Sequence, residues 1–233
     1  MAVLPLSGPL LVLDAATATG SVALLRDGQL LGVRIVVMGQ GQDDHLFPAV
    51  QALLQEAALT PAALVAVVCG AGPGSFTSLR IAAALAKGLC HGAGCPLYAV
   101  PSLLLAAAAL PAEAVGPFLV HADALRGERY VLPVERQANG SVSAAGPLAR
   151  VATAALAEST QQERRVAVTA APDALPSAYI VTPDASRVLH VSGGWREQEA
   201  DLASWEPTYG RLAEAQVKWE ATHGVSLPTG SAS

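Results

Sequence analysis

Charge is scarce in this sequence. Of its 233 residues, 14% are Asp, Glu, Lys or Arg, against about a quarter in an average soluble domain. Aromatic residues stand at 4%, hydrophobic residues at 52%, and the mean hydropathy is +0.41. So apolar a composition excludes intrinsic disorder, which needs low hydrophobicity and high charge. Long apolar runs are missing too. A membrane-spanning helix takes about 18 consecutive apolar residues. The longest run, Leu103 to Leu110, stops at Pro111, and the stretch Phe76 to Cys90 is broken by Arg80 and Lys87. No basic segment precedes the first apolar run, which meets Asp14, so neither a signal peptide nor a membrane span is expected. Three cysteines, at 69, 90 and 95, fit no metal or disulfide framework and suit a reducing cytoplasm. Basic clusters do not exceed Arg164-Arg165 and the net charge is −5, which argues against a direct grip on a nucleic-acid backbone.

What charge there is lies unevenly. Residues 1–100 hold nine charged residues: Asp14, Arg26, Asp27, Arg34, Asp43, Asp44, Glu56, Arg80 and Lys87. Two readings follow: a composition bias acting on a large core, or a surface that another protein covers.

Local patterns give an α/β order. Leu10 to Leu13 reads as a buried strand, Ser21 to Leu25 as a second, and Asp27-Gly28 turns the chain into a third at Gln29 to Val37. Asp43-Asp44 can cap a helix through Ala58, with Leu46, Val50, Leu53, Leu54 and Ala57 on one face. A strand over Leu64–Cys69 leads through Gly70–Gly74 to a helix capped by Ser75 or Thr77 and ending near Gly88 or Cys90. Leu97 to Val100 is a strand, and Pro101-Ser102 opens a helix closed by Pro111. The second half restarts in the same manner: strand Pro117–Val120, turn Asp123–Gly127, strand Glu128–Val134, hairpin at Asn139-Gly140. A short helix over Ala152–Glu158 and a strand over Arg165–Thr169 follow. This is a degenerate structural duplication, with residues 1–110 as one lobe and 111–210 as the other. A helix over 211–221 is expected to complete the first lobe, and the tail from Pro228 to fray.

The loop Gly70-Ala-Gly-Pro-Gly-Ser75 is the most conspicuous motif. Backbone amides of such a loop, at a helix N-terminus, can cradle an anion. It is neither a phosphate-binding Lys-Ser/Thr loop nor a dinucleotide fingerprint, because no Lys follows at the required spacing and no acidic residue follows before Glu113. Its glycines equally permit a sharp turn and close packing, so Gly72 and Gly74 are weak ligand candidates. Asp14, at a strand's end, either holds a cation or phosphate or bonds its own turn. The five histidines form no metal pair. Helix 75–90 is apolar nearly all round, with only Arg80 and Lys87 as polar relief. That fits an exposed flank resting on a partner helix, or a two-sided core.

At these residues the chain resembles a known family. Leu11-Val-Leu-Asp-Ala-Ala-Thr17 is similar to the opening strand of the actin/hexokinase/Hsp70-like (ASKHA) superfamily. Gly72-Pro-Gly-Ser-Phe-Thr-Ser-Leu-Arg80 resembles the hallmark of the TsaB (YeaZ) proteins. His45 to Pro48, Asp123 to Glu128 and Pro207 to Arg211 resemble further family segments. Ser78 departs from a usual glycine, Leu46 from a small or polar residue, and Leu125 from an arginine. The resemblance implies duplicated βββαβα lobes, the second degenerate. It implies a non-catalytic subunit, without a cofactor, in bacterial synthesis of the N6-threonylcarbamoyladenosine next to the anticodon of tRNAs reading ANN codons. Its partners would be a TsaD-type transferase and a TsaE-type ATPase. Alone it would pair with itself, and tRNA would be met only through the complex. Carried onto this chain, the interface comprises Phe76, Arg80, Ile81, Ala84, Leu85 and Gly88, with His45, Phe47, Val50 and Leu54 beside them. The alternative within the same superfamily is an ATP-dependent small-molecule kinase or ATPase using Asp14, Asp123 and the glycine loop.

Overall fold

The structure, a computed structural model, describes residues 3–38, 45–158, 164–169 and 175–209. The expected cap at Asp43-Asp44, residues Ala170–Asp173, Arg211, the 211–221 helix and the tail lie outside the described residues.

The first half follows the order read from the pattern: β1 (Pro9–Asp14), β2 (Thr19–Arg26), β3 (Gln29–Val37), α1 (Leu46–Glu56), β4 (Ala66–Gly70), α2 (Phe76–Ala93), β5 (Leu97–Val100) and α3 (Ser102–Ala108). The second half gives β6 (Gly116–Leu125), β7 (Glu128–Arg136), β8 (Val142–Ala144), β9 (Ala149–Ala152), α4 (Thr153–Glu158), β10 (Arg165–Val168), β11 (Tyr179–Val181) and β12 (Glu199–Ala200).

Duplication is visible in the strand order. The first sheet runs β12-β5-β4-β1-β2-β3 and the second β11-β10-β6-β7-β8, with β9 also paired to β7. In each, an opening strand pairs antiparallel with the next (β1 with β2, β6 with β7). It also pairs parallel with the strand that follows a helix (β4 or β10), beside which lies one more parallel strand, β5 or β11. The fold is a duplicated α/β arrangement, with a reduced second half. There β8 and β9 span three and four residues where β3 spans nine, and α4 spans six where α1 spans eleven.

Strand alternation sorts β1 between two cores, because successive side chains point to opposite faces. Leu11 and Leu13 join Val22, Leu24, Val67, Cys69 and the inner faces of α1 and α2. Leu10 and Val12 face α3 and, beyond it, the second sheet through Val120, Leu132 and Val166. All seven residues of α3 are buried, so α3 needs no polar side. Each fully buried leucine there contributes about 1.5–3 kcal/mol of transfer free energy.

Four local expectations change. α2 continues to Ala93, past Gly88 and Cys90, and ends where Gly94 takes φ 67°, a left-handed C-terminal stop. Strand β6 extends through Asp123 to Leu125, so the expected turn at 123–127 narrows to its last residues. β9, in the Ala- and Pro-containing stretch before α4, was not anticipated. The chain also returns to the first sheet at β12, which pairs antiparallel with β5, inside the 111–210 span. No helix of the described residues is long and apolar enough to cross a membrane.

Candidate functional site

The glycine loop between β4 and α2 sits on the β1–β2 turn, and most of its donors are already committed. Ala71 N–H donates to Val100 O (2.7 Å) and Ser75 N–H to Ala16 O (2.8 Å). Gly72 N–H donates to Ser102 Oγ (3.0 Å), and Pro73 has no N–H to give. A Cβ on Gly74 would lie 2.1 Å from Ala16 O, and one on Gly70 1.9 Å from Asp14 Oδ2. Gly70 and Gly74 are therefore required by close contact with the Asp14 side chain and the Ala16 backbone. Of the two expected capping hydroxyls, Ser75 holds the N-cap position without capping the helix. Its Oγ pairs with Ser78 Oγ at 3.1 Å. Ser78 is buried.

Asp14 lies beneath this loop, fully buried. Its Oδ1 accepts Ala16 N–H at 2.9 Å and its Oδ2 accepts the Ser102 hydroxyl. The carboxyl thus ties β1 to the start of α3, and Ser102, which the pattern showed only as a helix start, completes the tie by receiving Gly72 N–H. Burial raises the Asp14 pKa above the ordinary carboxylate value, against the opposing effect of the Ala16 and Ser102 hydrogen bonds. A raised folded-state pKa favours the fold most below the unfolded carboxyl pKa, and that contribution is lost as pH rises through the folded value. Asp14→Asn removes the titration. Urea-unfolding midpoints measured across this window are expected to favour the variant over the wild type increasingly as pH rises. A difference independent of pH would show that Asp14 ionises without cost.

Asp123, the residue matching Asp14 in the second half, is exposed and accepts Leu125 N–H at 2.8 Å. It holds its own turn. Among the described residues no three His, Cys, Asp or Glu side chains converge as metal ligands. The thiols are buried, and Cys90 is pushed up to about 12, by desolvation first and by neighbouring Cys95 second.

The other candidate surface is the outer side of α2. Arg80, Ala84 and Gly88 are exposed, one helical turn apart, with Thr77 and His91 extending the row. A Cβ on Gly88 or Gly92 would meet nothing within 4 Å. Ile81 and Leu85 are half-buried against the first-lobe core. One flank is covered by the segment 201–209: Lys87 sits over the Trp205 ring and Phe76 stacks on Tyr209 with centroids 4.6 Å apart. The Arg80 guanidinium lies 5.3 Å from the Phe76 ring centroid, which sets it beside the row. His45 and Phe47 are exposed at the start of α1, Phe47 by 52%. Val50 and Leu54, expected beside them, are 1% and 4% exposed. They face the lobe's own core because their i, i+4 spacing follows the buried side of α1. They leave the candidate face. Thr77, His91 and Gly92 were missed, although Ala84, Gly88 and Gly92 at four-residue spacing were legible as a row of small residues.

Comparison with known proteins places this geometry. A family model described as TsaD, tRNA N6-adenosine threonylcarbamoyltransferase, matches residues 40–198. The chain belongs to that family. Within it, the chain is of the TsaB/YeaZ type. It is 28% identical to the tRNA threonylcarbamoyladenosine biosynthesis protein TsaB of Bacillus subtilis over 90% of this chain and 97% of that one. An uncharacterized Mycobacterium tuberculosis protein is 41% identical over 52% of this chain. The match spans 56% of that relative's length, about half. A crystal structure from Pseudomonas aeruginosa, titled as similar to the peptidase YEAZ, superposes with a TM-score of 0.71 at 25% identity, covering 88% of this chain and all of that one.

Proposed function

We propose that the chain is a non-catalytic subunit in the biosynthesis of N6-threonylcarbamoyladenosine on tRNA. It docks through the outer side of α2 onto a TsaD-type catalytic subunit and supports that partner in transferring the threonylcarbamoyl group to the adenosine next to the anticodon. The exposed Arg80–Ala84–Gly88 row, in a member of this family, carries the reading. Small residues let a second helix approach closely, and a helix side with so little charge is poorly suited to permanent exposure. A TsaE-type ATPase joins the same assembly, tRNA is reached through it, the free chain pairs with itself by the same face, and the setting is the cytoplasm. Residues 1–110 form the lobe that docks; 111–210 form the reduced lobe, apart from the return at β12.

The Asp14 network supports the non-catalytic part of the reading, since both carboxyl oxygens and most loop donors are engaged within the chain. Size-exclusion chromatography with light scattering, on the chain alone and mixed with a TsaD-type protein, tests the docking. A homodimer mass alone and a stable mixed complex are expected. Hydrolysis of Mg-ATP by the isolated chain, abolished by Asp14→Ala, would overturn the reading in favour of an ATPase or kinase.

A further inference from the structure

Three basic groups meet far in sequence from α2, where the two halves of the chain join. The end of α3 and the following residues Leu110–Ala112 form one wall. Arg136 at the end of β7, the turn 137–140 and the 3-10 segment Ala185–His190 form the other. They enclose a cavity of about 340 Å³ lined by Arg136, Arg187 and His190 among its polar groups, with no acidic side chain in the lining.

Arg136 is 5% exposed. Its Nη1 donates to Ala114 O (2.8 Å) and Ala112 O (3.4 Å), and its Nη2 to Leu110 O (3.0 Å). A guanidinium has five N–H groups. The Nε–H has no acceptor among the described residues, and Nη2 has one hydrogen beyond its bond to Leu110. These adjacent groups are the side-on fork with which arginine grips a carboxylate or phosphate through two parallel bonds. Tying down the connection between α3 and β6 accounts for the three carbonyl bonds and leaves the fork unexplained. A Cβ on Gly140 would lie 3.8 Å from Arg136 Nη2 and 3.4 Å from His190 Nδ1, so the two nitrogens border one point. Arg187, also in the lining, makes a long 3.7 Å pair to Asp184, and its side chain is 52% exposed. Nε is closed off from bulk solvent, so an oxygen that takes the fork must displace whatever covers it.

We propose that this cavity binds the phosphoryl group of a small molecule, held by the Arg136 fork, His190 and Arg187. Two arginines and a histidine in a lining without an acidic side chain match a dianion better than a monocarboxylate. The volume lies at the low end of small-molecule sites, about 300–1,000 Å³, which limits the rest of the ligand to the size of a sugar. Arg136 itself holds three carbonyls and is a poor test position. Exposed Arg187 and Ala138 are better ones.

Isothermal titration calorimetry on the full chain, at constant ionic strength, compares inorganic phosphate, ribose 5-phosphate and acetate. Phosphate and its ester are expected to bind at one site, and acetate roughly tenfold or more weaker. Arg187→Ala is expected to weaken phosphate roughly tenfold, the scale of one charge-assisted bond. Ala138→Glu, which brings a carboxylate to the mouth, is expected to abolish binding, and both variants to keep the wild-type Tm. No saturation by about 10 mM phosphate, equal affinity for acetate, or binding unchanged in both folded variants would each overturn the proposal.

Discussion

Ala84→Arg and Gly88→Arg are expected to leave the protein folded and to abolish its association with a TsaD-type partner. Both positions are exposed on α2, and the space around a Gly88 side chain is empty to 4 Å. A new arginine therefore meets solvent in the free chain, and Gly88 loses a residue that disfavours helix by about 1 kcal/mol relative to alanine. In a complex the same arginine stands between two closely packed helices, where its charge is desolvated and its bulk forces the helices apart. The expected loss of affinity is more than about a hundredfold, read by titrating each variant against the partner and by the mass of the mixture in light scattering. Thermal unfolding of the variants within a few degrees of the wild type confirms that the fold is intact. Folded variants that still associate with full affinity would remove α2 from the interface. Leu85→Asp is a poorer probe, since Leu85 packs partly into the first-lobe core and a buried carboxylate there threatens the fold.

The contrast between Val50 or Leu54 and Ala84 or Gly88 shows what the sequence made legible. Apolar spacing finds the side of a helix that is buried, and in α1 that side serves the protein's own sheet. The proposed docking face in the same helices is marked by what it lacks: it shows small residues at four-residue spacing, a half-covered Phe76 and an exposed Phe47, which apolar periodicity does not announce. The strands of the first half were readable because each is a short apolar run closed by a turn signal. β9 and β12 were not. The first lies in Ala149–Ala152 and the second is two residues long, and both exist because a neighbouring strand edge is there to pair with. The role of Asp14 had two readings in sequence, cation holder or turn former. The deciding partner, Ser102, stands 88 residues away, a distance that only the fold closes.

Gly74→Ala is expected to destabilise the protein severely, with no ligand involved. The added methyl would sit 2.1 Å from Ala16 O and 2.7 Å from its carbonyl carbon. These are backbone atoms in a buried turn, so neither rotamer change nor a small side-chain shift relieves the contact. The loop must move away, and the Ser75 N–H to Ala16 O bond that ties the start of α2 to the β1–β2 turn breaks with it. Overpacking costs about 1–3 kcal/mol and a buried donor left without its acceptor about 1–3 kcal/mol more. Together these amount to roughly 2–6 kcal/mol, a large part of the roughly 5–15 kcal/mol that holds a typical domain together. For a chain of this size the drop in Tm is roughly 2–4 °C per kcal/mol, so a decrease on the order of 10 °C is expected in a thermal melt. Gly92→Ala, on the open side of α2, is the matched control. Nothing lies within 4 Å of its new Cβ, and helix propensity favours alanine by up to about 1 kcal/mol, so its Tm is expected to rise. The same chemical change thus acts with opposite sign at two glycines of one loop–helix unit. A Gly74→Ala melt near the wild-type value would show that the loop yields to the added methyl without cost.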